Sequence, residues 1–65
     1  MKTRIRKLRE EMDITITQLS YEIRVPLAIL SRVELGKQAG SVATRTALMR
    51  YYGEENLFDE LGMAI

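Results

Sequence analysis

Sixty-five residues carry ten lysines and arginines against nine acids, 46% hydrophobic residues, no cysteine and no histidine. A chain this short allows one small domain, near the lower limit for a core that folds unaided, and it has neither a disulfide staple nor a thiolate metal site. The missing histidine removes the commonest general base and metal ligand.

The net charge of +1 conceals a gradient. Residues 1–50 hold all ten bases and five acids (Glu10, Glu11, Asp13, Glu22, Glu34), a net of +5. Residues 51–65 hold four acids (Glu54, Glu55, Asp59, Glu60) and no base, a net of −4. A basic body with an acidic tail suits a polyanionic partner at the body. The start, "MKTRIRKLREEM", is basic with no apolar run behind it, unlike a secretory signal. No apolar stretch reaches the length of a membrane helix, so a cytoplasmic protein with no membrane partner is expected.

The elements read as helices throughout. In the first, Ile5, Leu8 and Met12 recur at helical spacing, with Lys2, Arg4, Arg6 and Lys7 mostly on other faces. In "ITITQLSYEI", Thr15 caps a second helix and Gln18 completes a capping box. Ile14 before the cap and Leu19 at the fourth helical position form a hydrophobic staple. Leu19 and Ile23 face the core, and the helix ends near Arg24. Pro26 cannot continue it but suits the first turn of a third helix. Gly36 ends that helix in the left-handed conformation. In "AGSVATRTALMRYYG", Ser41 caps a fourth helix that buries Val42, Leu48, Met49 and Tyr52 and stops at Gly53. "EENLFDELG" begins with two acids suited to a helix N-terminus and carries Leu57, Phe58 and Leu61 on one side. Five short helices in one domain spanning residues 1–65 are expected, with residues 54–65 as C-terminal helix and tail. No alternating run argues for a strand.

Two short helices joined at Arg24–Val25–Pro26 form a candidate helix-turn-helix. On a helical wheel, Pro26, Ile29, Leu30 and Val33 share a side that should face the core. Leu27, Ala28, Ser31, Arg32 and Leu35 share the outward side. The outward side thus holds one guanidinium, one hydroxyl and several apolar groups.

The stretch "IRKLREEMDITITQLSYEIRVPLAILSRVELGK" resembles the Xre family, the helix-turn-helix of phage Cro and repressor proteins. The matching parts are "LRE" (Leu8 to Glu10), Ile14–Thr15, "QLS", Val25, "LSRVE" and "GK", and the likeness runs from about Ile5 to Gly53. It implies an all-α, compact, lambda-repressor-like bundle of about five helices that binds a palindromic DNA operator as a homodimer and regulates transcription. The family's base-reading positions fall on Leu27, Ala28 and Arg32, with Ser31 between. Its phosphate contacts fall around Thr15, Ile16, Leu35 and Lys37, with Thr17 and Gln38 beside them. Arg9 and Glu34 match a family ion pair between the first and third helices. The chain departs from the pattern at Ile16, Arg24, Pro26, Leu35 and Arg45. Apolar groups stand at two phosphate positions, and Arg24 and Arg45 can replace them if they point outward.

The physics agrees for Arg32, whose fork can donate two hydrogen bonds to the O6 and N7 of guanine. Leu27 and Ala28 cannot hydrogen-bond but can pack on thymine methyl groups; alternatively Leu27 tucks back towards the core and Ala28, for which this is the favoured reading, is a helix filler. A homodimer is expected through Leu57, Phe58, Leu61, Met63 and Ile65, which exceed what one small core can cover. The alternative function is a protein-binding antitoxin or an accessory regulator of a mobile element, with weak DNA binding and a protein partner on the apolar outward face. An enzyme is not expected: there is no His or Cys, no glycine-rich phosphate loop and no paired carboxylates sharing a pocket. No catalytic residue, metal or cofactor is assigned.

Overall fold

A computed structural model describes residues 1–65. Four helices and no strand make up the chain: α1 (Arg4–Glu11), α2 (Ile16–Ile23), α3 (Leu27–Glu34) and α4 (Val42–Tyr52). They form an all-α globule with a radius of gyration of 10.2 Å. Each start is set by a local device. The Thr3 hydroxyl accepts from the Arg6 N–H, Thr15 from Gln18 and Ser41 from Thr44, which satisfies donors that a helix start leaves open. Pro26 caps α3 through its backbone alone; its side chain offers no acceptor.

Seven buried apolar residues make the core: Ile5, Leu19, Val25, Leu30, Val33, Leu48 and Leu57. Ile14, Ile16, Ile23, Ile29, Met49 and Phe58 are among the half-buried side chains packed around them. Full burial of each Leu or Ile contributes roughly 1.5–3 kcal/mol. With so few such residues, polar contacts decide how the helices are held. Glu34 is one of them. It is charged, 3% exposed, and sits on the buried side of α3. The Arg9 guanidinium meets its carboxylate with Nε at 3.0 Å from both oxygens and Nη2 at 2.9 Å from Oε1. Arg9 Nη1 donates to the Ile14 carbonyl at 2.9 Å. Thr3 Oγ1 donates to the Glu34 carbonyl at 2.6 Å. One end of α3 is therefore held by side chains from both ends of α1.

The fifth helix does not form. Residues 54–65 turn back on themselves, with an isolated antiparallel bridge between Phe58 and Ala64. The Asp59 carboxylate accepts the Leu61 and Met63 N–H groups, and the Asp59 N–H donates to the Met63 carbonyl at 2.8 Å. The Ile65 N–H donates to the Leu57 carbonyl. Asp59 thus supplies the local acceptor that competes with helical pairing. Left-handed turns at Gly53 (φ 67°) and Gly62 (φ 83°) bound the segment on either side. The folded-back segment is tied in at two places: Gly40 N–H donates to the Gly62 carbonyl, and Arg4 N–H to the Ile65 carbonyl.

Other expectations need correcting. Val42 is 69% exposed, and Thr44 takes the buried place in the first turn of α4. Ser41 sets the phase of that helix, and Val42 as its first residue points away from the bundle. Met12 lies beyond α1 as its C-cap and is half exposed. Pro26 is exposed, and Val25 beside it is buried instead. Pro26 precedes the helix, so the wheel does not govern its direction. Leu57 is fully buried in the chain's own core and is not available to a partner subunit.

The ion pair yields a stability test. Glu34→Gln strands the Arg9 charge and lowers stability by about 3–5 kcal/mol. Glu22→Gln, at an exposed acid that accepts from the Tyr51 hydroxyl, costs less than about 1 kcal/mol. Thermal melts of the two variants check the contrast, and equal losses would refute the role given to the pair.

Tyr52 yields a second test. Its hydroxyl is buried without a hydrogen-bond partner. Burial, followed by the nearby Glu34 charge, pushes its pKa up to about 12. A raised pKa favours the neutral form in the fold, so this contribution is intact below about pH 10 and is lost as the pH rises through about 12. Tyr52→Phe removes an unsatisfied polar group. It leaves stability at pH 7 unchanged or raises it by up to about 1 kcal/mol, and it flattens the loss between pH 10 and 12. Melting curves of both proteins across that range measure the difference.

Candidate nucleic-acid interface

The surface around α2 and α3 is built by the turn between them. Arg24 caps α2 in the left-handed conformation, φ 58° and ψ 43°. Val25 is then buried, its N–H donating to the Ser20 carbonyl at 3.2 Å, and the Ser20 hydroxyl donates back to the Val25 carbonyl. These contacts anchor a turn that lacks glycine. α3 follows at once, with the Leu30 N–H on the Pro26 carbonyl.

α3 then divides cleanly. Leu30, Val33 and Glu34 are buried and Ile29 is half-buried. Leu27 (43%), Ala28, Arg32 and Leu35 (49%) are exposed, and Ser31 is partly so. The helix ends in a Schellman arrangement. Gly36, at φ 74°, donates to Val33, and Lys37 donates to Arg32, closing carbonyls the helix leaves open. The chain leaves the helix with Lys37 and Gln38 exposed.

The other sequence-derived positions separate into two sets. Thr15 and Thr17 are exposed at the start of α2. Ile16 is half-buried against the core. Arg45 is drawn back against the C-terminal turn. A Cβ on Gly40 would stand 3.0 Å from its Cγ, and one on Gly62 would stand 3.4 Å from its Nε. Its Nε is buried and has no partner. Arg45 therefore does not extend freely with Lys37 and Gln38, and the two glycines make room for it. Phe58 and Met63 are half-buried, while Leu61 (81%) and Ile65 are exposed.

The electrostatics sharpen this picture. Four ion pairs are present, and every base in them lies in residues 2–9: Lys2 and Arg6 with Glu10, Arg4 with Glu54, and Arg9 with Glu34. Glu34 holds the Arg9 pKa above its ordinary value, mainly through their hydrogen bonds. Lys2 does the reverse to Glu10, lowering its pKa by hydrogen bonding. The acidic end thus spends Glu54 on Arg4. Arg24, Arg32 and Lys37 have no carboxylate within salt-bridge distance, and the same holds for Lys7, Arg45 and Arg50. Positive charge is left uncompensated along the turn, α3 and the loop after it.

Sequence reasoning gave no role to Tyr21, which is 86% exposed beside Arg24 and Pro26 at the edge of this surface. The signal was present. Leu19 and Ile23 mark the inner face of α2, so Tyr21 between them must point away. No group of three or more acidic, His or Cys side chains could hold a metal ion, and no helix is long and apolar enough to cross a membrane. Comparison of the chain with protein-family models, characterised proteins and solved structures finds no match.

The left-handed Arg24 gives a local test. Arg24→Gly relieves the Cβ crowding of this conformation, offset by the greater freedom of glycine when unfolded. A net gain of about 0.5–1 kcal/mol is expected in chemical denaturation, whereas a loss would show that the Arg24 side chain itself holds the turn.

Proposed function

We propose that this protein binds double-stranded DNA sequence-specifically as a homodimer and regulates transcription, as a repressor of the Xre type. In this reading α3 lies in the major groove. Arg32 reads a guanine, Leu27, Ala28 and Ser31 face neighbouring base edges, and Thr15, Thr17, Lys37 and Gln38 meet phosphates. The observation that carries the reading is the two-sided placement of α3. One side is clamped by Thr3 and Arg9, and the other carries uncompensated Arg32 out to solvent. The two-fold pairing uses Leu61, Met63 and Ile65 with Phe58 and without Leu57, and it matches a palindromic operator. Such a protein acts in the cytoplasm, needs no cofactor and is not an enzyme.

A second reading uses the same surface. Leu27 and Leu35 are both nearly half exposed, eight residues apart on one side of α3. They suit a protein partner, as an antitoxin or accessory regulator would have. The two readings differ in salt dependence, because several phosphate contacts give a steep negative slope and an apolar docking face does not.

Arg32 and Lys37 should fail differently under the DNA reading. Arg32→Ala costs roughly 1–3 kcal/mol on the preferred duplex and relaxes preference at one position, a guanine. Lys37→Ala weakens all duplexes alike and reduces the salt slope by about one unit. Binding to matched and mismatched duplexes at two salt concentrations measures both. An unchanged matched-to-mismatched ratio for Arg32→Ala would remove the base-reading role.

A further inference from the structure

The outward side of α3 has an unusual balance for reading bases. Its first turn presents Leu27 and Ala28, both exposed and both without a hydrogen-bonding atom in the side chain. Leu35 extends the Leu27 row two turns on, with half-buried Ser31 between them. Arg32 is the single strong donor. In the major groove, adenine N6, cytosine N4 and the carbonyls of guanine and thymine are read by hydrogen bonds. The one apolar feature on a base edge is the C5-methyl group of thymine. At the base edges its first turn covers, a Leu-Ala pair can discriminate by that methyl group and by little else.

Resting on the DNA-binding reading above, we infer that α3 recognises C5-methylated pyrimidines as a chemical class, beside one guanine taken by Arg32. 5-Methylcytosine carries the same methyl group at the same ring position as thymine. It differs in its O4-to-N4 edge and in its pairing purine. Leu27 and Ala28 cannot hydrogen-bond to either edge, so the exchange of thymine for 5-methylcytosine costs little at the positions they cover. Unmethylated cytosine and uracil leave the leucine side chain facing a gap. The protein therefore senses cytosine methylation wherever a contacted thymine is replaced by cytosine. The net charge of +5 on residues 1–50 and the unpaired Arg32 and Lys37 favour a duplex as the occupant of this side.

The experiment selects bound duplexes from a random library with the full-length protein, then remakes the best duplex with single replacements. Each thymine is changed in turn to deoxyuridine, to cytosine and to 5-methylcytosine, with complementary purines throughout. One or two thymines should lose about fourfold in affinity as deoxyuridine, the factor that corresponds to burying one methylene-sized group. 5-Methylcytosine at those positions should bind within about twofold of thymine, and cytosine should match deoxyuridine. Leu27→Ala, at a side chain already nearly half exposed, should erase the deoxyuridine penalty while its melting temperature stays close to that of the parent. A selected duplex with a steep salt slope but equal affinity for thymine and deoxyuridine everywhere overturns the methyl reading and leaves DNA binding standing. Failure to enrich any duplex, with no salt-dependent binding, overturns both.

Discussion

The contact on which the rest of the structure depends is the Arg9–Glu34 pair. A carboxylate 3% exposed is costly to bury alone. Here it receives three hydrogen-bond contacts from one guanidinium, whose remaining fork holds the Ile14 carbonyl just ahead of α2. One cation thereby sets α1, the turn into α2 and the end of α3 against each other. Thr3 adds a second tie, capping α1 while donating to the Glu34 carbonyl. In a core of seven apolar residues, nonspecific burial alone leaves the helix orientations loosely determined. A geometrically demanding ion pair narrows them. The outward direction of Leu27, Ala28 and Arg32 follows from which edge of α3 is clamped.

Charge is distributed by the same logic. Residues 2–9 are rich in bases, but four of the five, Lys2, Arg4, Arg6 and Arg9, are paired with Glu10, Glu34 or Glu54. The uncompensated positive charge around α3 comes from only a few residues, placed where the helix and its following loop meet solvent. Arg45 has a different part. It occupies a place among Gly40, Gly62 and the C-terminal turn, so it joins the last segment to the start of α4 while its Nε goes unpaired. Tyr52 has a buried hydroxyl in the same condition.

Much of the helix plan is legible in the chain. Caps and stops are local chemistry. A threonine or serine oxygen reaches an N–H two or three residues on, and a glycine adopts positive φ with no help from distant residues. Thr15, Ser41, Gly36 and Gly53 could therefore be placed from sequence, and the wheel of α3 separated Leu30 and Val33 from Leu27, Ala28 and Arg32. The α2–α3 turn was legible only in part. Position 24 holds an arginine in a conformation that glycine normally takes, and what permits it is the burial of Val25 and its exchange of hydrogen bonds with Ser20.

By itself, then, the sequence located the first four of the five helices it led one to expect, the caps of the second and fourth, the glycine stops of the third and fourth, and most of the buried side of α3, because each depends on contacts within one or two turns. It also carried the charge asymmetry between residues 1–50 and residues 51–65. Only the tertiary structure decided the fate of the last twelve residues. Their apolar spacing and leading acids read as a helix, yet Asp59 captures the backbone of the turn, Gly40 and Arg4 bind its carbonyls, and Leu57 is drawn into the core. The same is true of which bases remain free, since the pairing of Arg4 with Glu54 spans fifty residues. Local pattern cannot foresee such contacts, because they exist only once distant parts of the chain have been brought together.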